Sequence, residues 1–118
     1  MINASYIPLR YARALNEYAK QHSAQDSIYD QCKKALIEFR GFMALKQLLG
    51  NPLLKTDERY AILSAVFGHQ TGPVLSRFLH FLTENKREDY IQEIIVRFVR
   101  LYREEHRILN AVLITASE

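Results

Sequence analysis

Leu9-Arg10-Tyr11-Ala12-Arg13-Ala14-Leu15-Asn16-Glu17-Tyr18-Ala19 decides the fold class. Its apolar residues recur three and four positions apart, the spacing of a helix face. Pro8, just ahead of it, is tolerated in a first helical turn. The same period continues downstream. Ser23 with Asp26 three residues on reads as a capping box, and Ile28, Cys32, Ala35, Leu36 and Phe39 make the stripe of a second helix. Gly41 follows where a glycine in the left-handed region would close it. A short third helix, Phe42 to Leu49, ends at Gly50, and Asn51-Pro52 enforces the break. Thr56 is placed to cap a fourth, with Asp57 and Glu58 at the positive end of its dipole. Its apolar face is Tyr60, Leu63, Val66 and Phe67, and Gly68 stops it. Gly72-Pro73 opens a fifth, and Asn85 is its C-cap. The sixth and longest carries Ile91, Ile94, Ile95, Phe98, Leu101 and Tyr102. The fold expected is all-α, a six-helix bundle.

The end of the chain changes character. Ile108-Leu109-Asn110-Ala111-Val112-Leu113-Ile114-Thr115 is rich in β-branched residues and reads as a strand. A lone strand has no partner among these helices. We therefore expect residues 1–106 to form the helical domain, and residues 107–118 to be a linker and the start of a second domain.

Composition narrows the function. With 118 residues there is room for one domain, and 48% apolar residues suffice for one core. Four glycines and three prolines are too few for a turn-rich β-sandwich. Sixteen Lys/Arg against thirteen Asp/Glu are scattered rather than clustered, as on solvated helix faces. One cysteine, Cys32, excludes an intrachain disulfide and suits a reducing compartment. Met1 to Ser5 lacks the charged and apolar regions of a secretory signal. No apolar run has the length to cross a bilayer, so any membrane association is expected through a partner.

Catalytic chemistry is not visible. His22, His69, His80 and His106 stand apart from any zinc-motif spacing. Cys32 lies on an apolar stripe, as a buried small hydrophobe would. Gly68-His69-Gln70-Thr71-Gly72 lacks the Lys-Ser/Thr ending of a phosphate loop and reads as a turn. Glu84/Glu88 and Glu104-Glu105 sit among Lys86, Arg87 and Arg103 as ordinary surface charges. The expectation is a protein that is not an enzyme, with no metal and no cofactor.

Two helices are apolar over more than one stripe. On the first, Tyr11, Leu15 and Tyr18 make one stripe and Ala12 and Ala19 a neighbouring one. On the fifth, Val74, Phe78 and Phe81 are displaced from Leu75, Leu79 and Leu82. Either both helices are central to the bundle, or one stripe packs inward and the other forms a groove for a partner helix.

These residues carry a family resemblance. Arg10-Tyr11-Ala12-Arg13-Ala14-Leu15 with Tyr18-Ala19 resembles the opening of the delta subunit of bacterial ATP synthase, whose mitochondrial counterpart is the oligomycin-sensitivity-conferring protein. Asn51-Pro52 with Arg59 and Phe67 looks like the family's second signature. Phe78-Leu79-x-Phe81-Leu82-x-x-Asn85-x-Arg87 is similar to its third, and Leu113-Ile114-Thr115-Ala116 to the start of its C-terminal domain. Asn16, Arg59 and Thr115 depart from the family's usual aromatic or aliphatic residue, lysine and serine. The resemblance covers essentially the whole chain.

What the resemblance implies is a non-catalytic subunit of a proton-translocating ATP synthase. Its N-terminal domain is a six-helix bundle on the catalytic head that binds the amphipathic N-terminal helix of an alpha subunit between helices one and five. Its C-terminal domain contacts the b subunits of the peripheral stalk, holding the head static against the rotor. Carried over by position, the groove would use Tyr11, Ala14, Leu15 and Tyr18 on helix one and Val74, Arg77, Phe78 and Phe81 on helix five. The resemblance also implies a peripheral location on the cytoplasmic face of a bacterial inner membrane, reached only through the complex, and no nucleic-acid partner. The rival reading is a small basic all-α RNA-binding protein of the antitermination-factor type. It predicts Lys/Arg converging on one surface and affinity falling steeply with salt.

Overall fold

A computed structural model of the chain describes residues 6–38, 40–68 and 71–117, with side chains described as far as residue 107. Six helices follow in order: α1 Tyr6–Gln21, α2 Gln25–Glu38, α3 Phe42–Leu49, α4 Thr56–Val66, α5 Gly72–Glu84 and α6 Ile91–Ser117, the last preceded by a 3₁₀ turn, Glu88–Tyr90. Among the described residues there is no strand. Phe39, His69 and Gln70, which figured in the reading of the second helix and of the glycine-flanked turn, lie outside the described residues.

α6 is the spine. It packs along α1 and α2, while α5 lies against α4 and α1. Its stripe Ile91, Ile94, Ile95 and Phe98 is at most 2% exposed, and meets Ala12, Leu15, Ala19, Ile28 and Cys32 in one continuous core. Burial pushes the Cys32 thiol well above its usual range, so it packs as a small hydrophobe.

The strand expected at the C-terminus is not formed: α6 runs unbroken from Ile91 to Ser117. No glycine or proline follows Pro73 to stop it. Leu109, Val112, Leu113 and Ala116 also keep the i, i+3, i+4, i+7 spacing of a helix face. A β-branched residue costs a helix less than about 1 kcal/mol, too little to interrupt one already under way. The side chains that made up the expected strand lie outside the described residues.

Glycines mark the breaks, but not always by the expected mechanism. Gly68, φ +70°, does close α4 in the left-handed region. Gly41 does not close α2: it sits at φ −96° and caps the start of α3, its carbonyl accepting from the Leu45 N–H at 2.7 Å. Nor is Ser23 an N-cap. It adopts φ 54° as the left-handed residue that ends α1. The Ala24 N–H reaches Ala19 O at 2.8 Å and the Ser23 N–H reaches Lys20 O at 3.2 Å, a Schellman closure. Lys86, φ 56°, does the same for α5 after the Asn85 cap. A side chain in this region costs about 1–2 kcal/mol, offset by the extra freedom a glycine loses on folding. Ser23→Gly should therefore stabilise the protein by about 0.5–1 kcal/mol. An unchanged or lower urea midpoint would count against this account of the α1 terminus.

Two polar clusters tie the helices together. At the start of α4 the Arg59 guanidinium donates to Leu49 O at 2.6 Å, to Asn51 O at 2.8 Å and to Glu88 Oε1 at 2.9 Å. It satisfies a carbonyl at the end of α3 and pins the Asn51-Pro52 turn to the 3₁₀ turn before α6. The N–H of Lys55, rather than Thr56, is the capping backbone group of α4, donating to Glu58 Oε1 at 2.8 Å.

The second cluster joins α1, α2 and α6. Buried Asn16 donates to Glu105 Oε1 at 3.1 Å and accepts from Gln25 Nε2 at 2.7 Å, while Lys20 donates to Glu105 Oε2. Partial burial would raise the Glu105 carboxyl, but the bonds from Lys20, Asn16 and Gln25 outweigh it and hold the group below the usual range. A lowered folded value stabilises above the unfolded value and is lost as pH falls below it, about 4.3 for glutamate. Glu105→Gln should thus be less stable than wild type at pH 7, and the gap should close progressively as pH falls below about 4.3. A urea-midpoint gap that does not narrow on acidification would show the carboxylate is not what holds this corner.

Candidate functional site

α1 and α5 diverge on one face of the bundle and leave a shallow hollow of about 310 Å³, lined by Ala14 and Tyr18 of α1 and Arg77, Phe78 and Phe81 of α5. The helix register explains the opening. On α5, Leu75, Leu79 and Leu82 turn into the core at 1% exposure or less, which directs Arg77 and Phe81 outward. On α1, Ala12, Leu15 and Ala19 point inward, placing exposed Ala14 on the rim, where its methyl leaves the space between the helices unfilled.

The eight positions singled out from the sequence are therefore not equivalent. Ala14, Tyr18, Arg77, Phe78 and Phe81 meet around the hollow. Tyr11 lies behind the wall at 7% exposure, its ring 5.7 Å from that of Phe81. Leu15, at 1%, belongs to the core with Ala12 and Ala19 and presents nothing to a ligand. Sharing a stripe with Tyr11 and Tyr18 did not bring it to the surface, because the two small alanines beside it let that side of α1 approach the core. Val74 is half-buried and packs against the core outside the hollow.

Phe81 remains 46% exposed, an aromatic left nearly half in water. Arg77 enters no ion pair among the described residues, so its charge is available at the edge of the apolar wall. A second hollow, about 570 Å³, continues across α5 on the far side of Arg77 and Phe81, lined also by Pro73, Ser76, His80 and Glu84. His80 and Glu84, which read from the sequence as an isolated histidine and an ordinary surface charge, follow Arg77 at i+3 and i+7 and line this hollow with it. Beyond it the Tyr60 ring stacks on His80 at 3.7 Å, and its hydroxyl meets Ser76 Oγ at 2.6 Å.

The described histidines are all engaged with tyrosines: His22 edge-on to Tyr18 at 4.6 Å, His80 on Tyr60, and His106 on Tyr102 at 3.8 Å. Among the described residues no three His, Cys, Asp or Glu side chains converge as metal ligands. What the hollow offers is apolar surface, a small residue permitting close approach, and one cation at the rim. That suits docking of a helix.

Comparison with known proteins gives the lineage. Residues 7–118 match the family described as ATP synthase delta (OSCP) subunit. The chain is similar to ATP synthase subunit delta of Phocaeicola vulgatus, 30% identical over 103 residues, covering 86% of this chain and 56% of that protein. The protein of the same description from Parabacteroides distasonis is 31% identical over 110 residues, covering 93% and 61%. That of Prochlorococcus marinus strain MIT 9301 is 28% identical over 108 residues, covering 92% and 60%. The chain thus spans about three-fifths of the length of these relatives. No solved structure gives a significant match. Among the described residues no helix is long and apolar enough to cross a membrane. The chain belongs to the ATP synthase delta (OSCP) subunit family.

Proposed function

We propose that this chain is the head-docking domain of a peripheral-stalk subunit, and that its α1–α5 hollow receives the amphipathic N-terminal helix of an alpha subunit. The observation that carries the reading is the hollow itself: exposed Phe81 and the Phe78 and Tyr18 rings around a single alanine. A partner helix presenting apolar anchors at i, i+3/i+4 and i+7 fits such a surface, and a carboxylate beside those anchors would meet Arg77. In this reading the subunit, through a further C-terminal part contacting the b subunits, ties head to stalk. Rotor torque then drives the chemistry of the head and does not spin it. The protein is held at the membrane, on the cytoplasmic face, only through the complex.

The direct test is calorimetry with a peptide copying the alpha subunit's N-terminal helix. Apolar docking should give a negative heat-capacity change and little dependence on salt. Binding that collapses steeply as salt rises, or affinity for RNA in place of the peptide, would favour the RNA-binding reading instead.

A further inference from the structure

We propose that the face between α2 and α6 is a second docking surface, made for an acidic amphipathic helix of a partner polypeptide. A hollow of about 350 Å³ opens there, with Leu36 of α2 and Val96 and Val99 of α6 as an apolar floor. Arg100, Arg103 and Arg107 stand around it, with one carboxylate, Glu104, among them. It shares no residue with the α1–α5 hollow.

The arginines recur at i, i+3 and i+7, so one stripe of α6 carries all three, spread along about 10 Å. Like charges at this spacing weaken a helix by a few tenths of a kcal/mol per pair. Neither Arg100 nor Arg107 has an ion-pair partner among the described residues to offset that. Both are exposed. Folding therefore accounts for Arg103, which bonds Tyr29, but not for Arg100 and Arg107. An anionic partner would account for both. Lys33 adds a positive charge on α2, its ammonium 5.3 Å from the Tyr29 ring, over which the Arg103 guanidinium also lies at 6.0 Å.

Charge alone would also suit a nucleic acid, but the aromatic rings nearby are already spent. Tyr29 stacks on Tyr102 at 3.8 Å, and Tyr102 stacks in turn on His106 at 3.8 Å. Arg103 Nε donates to the Tyr29 hydroxyl at 3.0 Å, and Tyr102 donates to Asp26 at 2.7 Å. Single-stranded nucleic acid is gripped by open ring faces, and this ladder presents few. An apolar trough with basic edges instead matches a helix carrying leucines flanked by glutamates.

The test uses the full chain and a designed helical peptide with leucine at i, i+3, i+4 and i+7 and glutamate on both flanks, titrated by fluorescence anisotropy. Wild type should bind it and ignore the same peptide with lysine replacing glutamate. Arg100→Glu/Arg107→Glu should weaken binding roughly tenfold or more, and Arg100→Lys/Arg107→Lys should stay within a few-fold of wild type. Ala14→Asp and Ala14→Trp should both leave it unchanged, which separates this surface from the alpha-subunit reading. Methyl NMR on wild type gives a readout independent of any variant: Leu36, Val96 and Val99 should shift at saturation. The proposal is overturned if those methyls stay put, or if the charge-reversed protein binds equally well. It is also overturned if either Ala14 variant abolishes binding, since the peptide then sits between α1 and α5. Binding of oligouridylate or anionic vesicles through Arg100 and Arg107, with no binding of the peptide, would assign the stripe to a different class of partner and reject this one.

Discussion

Arg59→Ala is expected to cost about 3–5 kcal/mol of folding stability, out of proportion to one side chain at the edge of a small bundle. The Arg59 and Glu88 side chains are only 18% and 5% exposed, and their Nη1–Oε1 contact is 2.9 Å. Removing the guanidinium leaves the Glu88 carboxylate in a dry site with its positive partner gone. The carbonyls of Leu49 and Asn51 lose their donor at the same time. For a domain of this size the loss corresponds to a fall in melting temperature of roughly 10–20 °C. The cycle with Glu88 tells which part of the cost is electrostatic. If the uncompensated carboxylate dominates, Arg59→Ala/Glu88→Gln should recover a large fraction of the stability lost by Arg59→Ala alone. Additive losses would instead assign the cost to the two carbonyls. A change below about 1 kcal/mol in the single variant would mean the pair behaves as an exposed one. Arg59→Lys keeps the charge but not the fork that spans three acceptors, so an intermediate loss is expected.

The helices were legible in the sequence because their period and their breaks are local. Leu75, Leu79 and Leu82 announce the inward face of α5 by spacing alone, and Gly68 and Gly72 mark a real break, both at positive φ. The devices that end α1 and α5 were not legible. Ser23 and Lys86 carry no glycine-like signal, and each is held in the left-handed region by hydrogen bonds that close only once the preceding helix exists. The C-terminal misreading has the opposite origin. The β-branched content of residues 108–115 suggests a strand, but a helical spacing is present there as well.

Long-range partners were invisible for a simpler reason. Asn16 reads as a departure from the aromatic or aliphatic residue usual in the family it resembles, and its justification, Glu105, lies 89 positions away. Likewise Glu88 read as surface charge until the fold buried it to 3% exposure against Arg59. For the α1–α5 hollow, residue pattern gave the two helices and the resemblance gave the positions. Neither could separate rim from core. That division depends on how closely α1 approaches the bundle, which places Leu15 inside and Ala14 outside.

That same division makes Ala14 the position where a single substitution should change binding most while changing folding least. Its methyl lies on the rim, exposed, in the hollow shared with Tyr18, Phe78 and Phe81. In the proposed complex a partner helix must approach there to within contact of the α1 backbone. Ala14→Asp would place a carboxylate beneath that helix, and burying an unpaired charge costs several kcal/mol, a loss of roughly a hundredfold or more in affinity for the alpha-subunit peptide. Arg77 lines the same hollow and offers the new carboxylate a partner, which would blunt the effect. Ala14→Trp removes that escape, because it blocks the approach by volume and carries no charge. Both variants should keep the helical circular dichroism of wild type, since neither alters a core side chain. If both bind the peptide as wild type does, the helix does not lie between α1 and α5. If only Ala14→Trp fails, the site is correct and Arg77 has neutralised the aspartate, which Ala14→Asp/Arg77→Ala would then expose as a loss of binding.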